Sequence, residues 1–404
     1  VAANSQKVEV TLEILSVVFF SFIVYLTIGI PLAVVPSYVQ SLGFGPFAAG
    51  LAISVQYVAT FLTRPYAGRT VDTRGAKQAV VVGLVVCGAS GLFMMLTAGL
   101  FAFPWFSLGA LFTGRLILGC GESLVATGAI MWGVGRVGTR YTAKVISWNG
   151  VATYGALAVG APLGIFLETK FGFLSIGVSV VLLGWLSFPL ARIKAGSALV
   201  VGERIPIRRV FRRVLPYGFG LALGSIGFGS LATFITLYYS SHRWPHAAFS
   251  LSVFGICFIG VRLLFASSID RFGGYRVALV SFVVEVIGLL TLWQAGSLSV
   301  ALVGAMLTGV GFSLIFPSLG VEAMSRVTVD NRGAALAMYS VFVDVALGIT
   351  GPVGGIIATH FNFSAIFLFA ALSAAGALTL TIVIYLGQLA PVKRDCSLRS
   401  NLAD

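Results

Sequence analysis

The sequence predicts an all-α polytopic membrane protein, with twelve transmembrane helices in two six-helix, pseudo-symmetric bundles. Three observations predict it: a lipid-adapted composition, apolar runs of spanning length, and an internal duplication. The 404 residues are 58% hydrophobic and 10% charged, with mean hydropathy +1.00. A soluble chain carries about 25% charged residues, so the shortfall points to lipid as solvent. Only helices or closed barrels satisfy the backbone there. The apolar runs do not alternate with period two, which selects helices.

Twelve spans follow in order, at about 14–39, 47–68, 78–99, 104–134, 144–167, 172–191, 216–239, 248–267, 277–295, 298–320, 333–358 and 363–387. The first run is long and leads straight into further spans, so no cleavable signal peptide is expected. Between the sixth and seventh spans, the basic stretch 192–215 reads as a linker lying along an anionic lipid surface. It joins a bundle at 1–191 to one at 216–390, and 391–404 forms a polar tail. Of 26 Lys and Arg, 22 are predicted on the side of the termini and linker. This asymmetry puts both termini in the cytoplasm. Net charge +13 is therefore topology, and no nucleic-acid partner is implied.

The duplication is visible in two charged loops. The first runs Arg64-Pro-Tyr-Ala-Gly68-Arg-Thr-Val-Asp72-Thr-Arg-Gly75-Ala-Lys77. The second is Arg262-Leu-Leu-Phe-Ala266-Ser-Ser-Ile-Asp270-Arg271-Phe-Gly273, 198 residues later. At an offset of 190, Gly119-Cys-Gly121-Glu122-Ser-Leu matches Gly309-Val-Gly311-Phe312-Ser-Leu, and Gly160-Ala-Pro162-Leu-Gly164 matches Thr350-Gly351-Pro352-Val-Gly354. Ordered matches of this kind mark a repeat, and parallel repeats of six helices are one way transporters are built. Small residues at 68 and 266 suit close helix approach. Pro162 and Pro352 soften equivalent helices, so Gly160, Pro162, Gly164, Gly351, Pro352 and Gly354 are expected to act as hinges.

Charge inside the spans is the sharpest sign of function. Arg115 and Glu122 stand seven residues apart on one helix, sharing a face about 10 Å apart along the axis. Asp344 lies near the middle of the eleventh span with no local cation, which suits a carboxyl that binds and releases protons. Glu122 or Asp344 is expected to couple proton movement to transport, with Arg115 tuning Glu122. Glu285 is equally deep, but on a helix expected to pack peripherally. Tyr25, Gln56, Tyr57, Trp132, Trp148, Asn149, Tyr154 and Tyr339 are candidate cavity residues. Aromatics with a few polar groups suit amphipathic or weakly cationic organic molecules.

The four cysteines show neither plausible disulfide pairing nor metal-ligand spacing, so no metal is expected. His242, His246 and His360 fall in predicted external loops, which argues against a buried His relay. No phosphate-binding G-x-x-x-x-G-K-[ST] and no Ser-His-Asp or Cys-His arrangement is present, which argues against ATP-driven transport and enzymatic chemistry.

Over its whole length the chain resembles the major facilitator superfamily. Gly68-x3-Asp72-x2-Gly75-x-Lys77 is similar to its loop motif between helices two and three. Arg115-x3-Gly119-x-Gly121 resembles its fourth-helix motif, and Gly155-x4-Gly160-Ala-Pro162-Leu-Gly164 its antiporter-associated fifth-helix motif. Gly119-Cys-Gly-Glu-Ser-Leu, Ser147-Trp-Asn-Gly150 and Tyr154-Gly-Ala-Leu-Ala resemble the YhhS/YfcJ-type bacterial exporters of the drug:proton antiporter branch. Thr73 and Ala76 depart from the loop pattern, where a basic residue is usual, and Leu118 stands where Gln is common.

The resemblance implies a latch between the halves at Arg64, Gly68, Asp72, Gly75 and Lys77 and at Arg262, Asp270, Arg271 and Gly273. It further implies proton-coupled efflux of a small organic molecule from a bacterial inner membrane, with no cofactor beyond the proton gradient. A monomer is expected, because two halves complete one path. Proton-coupled nutrient uptake, or a non-transporting sensor or scaffold, are the alternatives.

Overall fold

A computed structural model describes residues 2–197, 207–265, 267–327 and 332–389. Its elements are α1 (Ala2–Leu32), α2 (Val35–Ser41), α3 (Pro46–Arg74), α4 (Ala76–Gly99), α5 (Pro104–Val137), α6 (Thr142–Phe171) and α7 (Leu174–Ile193) in the first half. The second half contains α8 (Ile207–Ser241), α9 (Ala248–Leu264), α10 (Ser268–Phe272), α11 (Gly274–Trp293), α12 (Leu298–Met324), α13 (Arg332–His360) and α14 (Phe363–Leu389). Eleven spans among the described residues are long and apolar enough to cross a membrane, α1 and α2 forming one of them; α9, a shorter apolar helix, takes the remaining place.

Local chemistry sets the boundaries. Pro46 and Pro104 open α3 and α5, where a missing N–H costs nothing. Gly75 and Gly273, 198 residues apart, break the chain at φ 93° and 84°, values an L side chain rarely adopts. The duplicated loop is thus a duplicated backbone turn.

One expected boundary moves. Residues 207–215 are helical and belong to α8 rather than to the linker. Val210, Val214, Tyr217 and Leu221 are buried at helical spacing and carry the helix through Pro216. Arg208, Arg209, Arg212 and Arg213 therefore lie on the first turns of a membrane helix. Glu203, Arg204, Ala266 and the 391–404 tail lie outside the described residues.

Packing repeats along with the sequence. Cys87 of α4 lies against Gly121 of α5, and Glu285 of α11 lies against Gly311 of α12. These positions are related by the same 198 and 190 offsets. Within the first half α1 and α6 cross at Gly29, Gly160 and Gly164, where a Cβ on Gly164 would overlap the Ile30 carbonyl oxygen. Small residues permit this approach. Gly164→Val is expected to lower stability by about 1–3 kcal/mol through overpacking, read as a reduced Tm in detergent.

Candidate functional site

The bundles meet along two seams. One joins α3 to α13 and the other α6 to α9. The end bearing the 64–77 turn and the start of α8 is called the basic end below. In the first seam a Cβ on either Gly50 or Gly351 would overlap the other's carbonyl oxygen. Ser54 Oγ donates to Leu347 O at 2.8 Å, and Gly351 N–H donates to Ser54 Oγ at 3.0 Å. Toward the basic end the seam finishes at Arg64, whose Nε and Nη2 donate to the two Asp344 carboxylate oxygens at 2.8 and 3.1 Å. One turn beyond, a Cβ on Gly68 would meet nothing within 4 Å. The first seam is zipped from the end opposite the basic end as far as Arg64, and no contact is made at Gly68 among the described residues.

The second seam has the same plan with different chemistry. Ser252 Oγ donates to Ala158 O at 2.8 Å, and Gly255 abuts Tyr154 and Ala158. It too ends at an arginine, Arg262, the equivalent of Arg64 at offset 198. Arg262 is buried beside Gly150, donates to Ser313 O at 2.6 Å and lies 5.6 Å over the Phe258 ring. At the place equivalent to Asp344 (offset 190) stands Tyr154, stacked on Phe258 at 3.8 Å. An ion pair closes one seam, and an arginine over aromatic rings closes the other.

Between the seams, Glu122 accepts from Gln56 Nε2 at 2.7 Å and Thr60 Oγ1 at 3.1 Å. Its carboxylate has no ion-pair partner among the described residues. Tyr25 and Tyr57 lie within electrostatic reach of both Glu122 and Asp344. Arg115, fully buried, donates from Nε to Ala52 O at 3.2 Å, and its two terminal nitrogens have no hydrogen-bond partner among the described residues. Facing this polar wall, Tyr154 meets Phe228, Phe254, Phe258 and Phe312 with ring centroids 3.8–6.3 Å apart.

The expected site residues divide accordingly. Tyr25, Gln56, Tyr57, Glu122 and Asp344 come together, and Tyr154 joins them from the aromatic side. The expectation that Asp344 has no neighbouring cation is corrected, because α3 delivers Arg64 from the other half. Arg64 is corrected from a loop residue to a half-buried contact between the halves, and Arg262, expected within its span, is a buried one. Gly68 is corrected from a close-approach position to one facing open space.

Asp72, Asp270 and Arg271 lie exposed at the basic end, with Arg271 over the Phe272 ring. Lys77 donates to Arg192 O at 2.7 Å, a bond within its own half. Trp132 stacks on Phe20 and donates to Ala195 O at 3.1 Å, away from the polar wall. Trp148 packs with Ile14, Val134 and Val145, and Asn149 accepts from Ser21 Oγ at 2.7 Å. Tyr339 donates to Phe316 O at 3.0 Å within the second bundle. Pro162 and Pro352 sit inside continuous helices. Gly354 packs on Phe234 and Gly160 on Gly29, within their own halves, whereas Gly351 meets the other half.

Sequence reasoning missed Thr60, Ser54 and the four phenylalanines. Phe312 carried a signal, since the repeat aligns it with Glu122. A separate cavity of about 610 Å³ opens at the end opposite the basic end, lined by Tyr38, Glu168, Tyr239, Arg243 and His246. No expected substrate residue lines it. No group of three His, Cys, Asp or Glu able to hold a metal occurs among the described residues.

The model for "Major Facilitator Superfamily" matches residues 17–274 and 247–398. A Pseudomonas aeruginosa (strain LESB58) MFS-type transporter is 57% identical over 385 residues, covering 95% of this chain and 96% of the relative. A Burkholderia mallei (strain SAVP1) MFS-type transporter is 56% identical over 376 residues, covering 93% and 92%. Among solved structures, the D-xylose-proton symporter aligns with TM-score 0.75 and 14% identity, covering 91% of this chain and 97% of that one. The human organic anion transporter MFSD10 aligns with TM-score 0.69 and 15% identity, covering 91% and 99%. Matched by a family model along nearly its whole length and by relatives above half identity, with the fold of solved members, the chain belongs to the Major Facilitator Superfamily.

Proposed function

We propose that this transporter exports a small, amphipathic, weakly cationic organic molecule in exchange for protons, from a bacterial inner membrane and as a monomer. Sidedness follows from charge, with the basic end cytoplasmic. On this reading the transporter rests open to the cytoplasm, supported by the seam that closes only as far as Arg64. The observation that carries the reading is the Arg64–Asp344 pair at the cytoplasmic limit of the closed seam. Its side chains retain 17% and 6% exposure, enough to touch the open side.

When the seam opens, Arg64 leaves, and a bare carboxylate in the membrane takes up a proton from the external side. When the seam closes, Arg64 returns and expels that proton toward the cytoplasm. Glu122, on the same polar wall, has no ion-pair partner among the described residues, so it is free to hold a cationic cargo or a proton but not both. Competition of cargo and proton for the same carboxylates makes their movements opposite, which favours antiport over symport. The aromatic wall around Tyr154 supplies apolar and cation–π contact for the cargo. Arg115, seven residues from Glu122, biases its charge. The Asp72 and Asp270 turns latch the halves only when the cytoplasmic side shuts.

The test is ethidium flux in proteoliposomes under an imposed pH gradient. The expected result is ethidium movement against the proton flow, reduced by about 5–150-fold in Glu122→Gln, the size of a typical coupling free energy. Movement with the protons would establish the uptake reading. Binding without flux would establish a sensor.

A further inference from the structure

We propose that Glu285 is a second proton-binding site, in the second bundle and off the central path, occupied while the basic end is open. Glu285 lies at the middle of α11 and is fully buried. Neither carboxyl oxygen has a hydrogen-bond partner among the described residues. It is aimed at the glycine face of α8, where a Cβ on Gly227 would lie 2.6 Å from Oε1 and one on Gly224 3.5 Å from Oε2. Phe282, Leu289 and Ile315 fill the remaining space.

Among the described residues no ion pair reaches it. The cations of α8 lie at its basic end, eleven or more residues before Gly224, and Arg276 of α11 lies nine residues away. On α12 the nearest charge is Glu322, eleven residues from Gly311, and α14 carries no charged residue. Tyr154 of the other half lies near enough to feel its charge.

An ionised carboxylate here would be both unpaired and unsolvated. A sodium ion needs several oxygen ligands, and the surrounding side chains are hydrocarbon or absent. A proton needs only the carboxyl itself. The site is also connected to the central path: Gly227 receives Glu285, and the next residue, Phe228, packs on Tyr154 of the other half at 5.4 Å. A charge appearing at Glu285 would press on α8 at the point where it forms the aromatic wall. This role is independent of those of Glu122 and Asp344.

Infrared spectroscopy of the full chain in nanodiscs, with 13C at glutamate carboxyls, tests it without a substrate. The wild-type minus Glu285→Gln difference is expected to show a protonated-carboxyl band at neutral pH. That band should disappear on alkaline titration while the circular dichroism stays helical. Glu285→Asp should move the band from the glutamate-labelled to the aspartate-labelled sample, which preserves the test should the Gln variant fail to fold. No band at any pH would overturn the proposal. So would a band unchanged until the helices melt, which would mark a fixed structural proton.

Discussion

Replacing Asp344 by Asn is expected to abolish the response of transport to a pH gradient while leaving downhill exchange measurable. It removes one partner of a mostly buried, two-bond pair and strands Arg64 in the seam. Breaking such a pair costs about 3–5 kcal/mol in a fully buried setting. With Arg64 retaining 17% side-chain exposure, the lower end of about 3 kcal/mol applies. Thermal unfolding in detergent would show this as a lowered Tm. The double variant Arg64→Leu, Asp344→Leu should recover most of that stability, because neither charge is left alone. It should not recover pH-driven flux. A cycle of the two singles and the double separates the pair's stability from its role in coupling.

Gly351→Leu is expected to slow transport from the opposite direction, by disfavouring closure of the first seam. Gly351 and Gly50 meet backbone to backbone, and even a Cβ would overlap a carbonyl oxygen. Helix backbones have little room to yield, so the closed seam loses about 1–3 kcal/mol relative to the open one. At 1.4 kcal/mol per tenfold, that lowers the closed population by roughly 5–150-fold. The chain should still fold, since the first seam is a contact between bundles and not within one. Retained Tm with reduced flux, and protection of the basic end from cysteine reagents, would be the signature.

How much of this was legible in the sequence depended on the range of the interaction. Composition and run length carried the spans, and the repeat carried the two bundles down to the paired turns at Gly75 and Gly273. Depth in a span drew attention to Glu122 and Asp344. Their partners did not follow, because Arg64 lies 280 residues from Asp344 and reaches it only through the α3–α13 crossing. Arg64 read as a loop residue since span ends are blurred by about a turn. Trp132 and Tyr339 show the reverse failure. Aromatics on membrane helices look alike in sequence, and only packing shows that these two are spent on Ala195 O and Phe316 O. The aromatic wall was missed for the same reason, although the alignment of Phe312 with Glu122 already set an apolar residue opposite a charged one.

The claim at the centre of this account is that proton occupancy of Asp344 sets which end is open. Spin labels at Arg69→Cys and Arg276→Cys, both exposed near the basic end of opposite halves, report that opening directly as a distance. Measured in nanodiscs in a background lacking the native cysteines, the long distance should dominate at alkaline pH, where the Arg64 pair holds the far seam shut. A shorter population should grow on acidification, and in Asp344→Asn the distribution should no longer depend on pH. Identical distributions at acid and alkaline pH in the chain with Asp344 intact would contradict it.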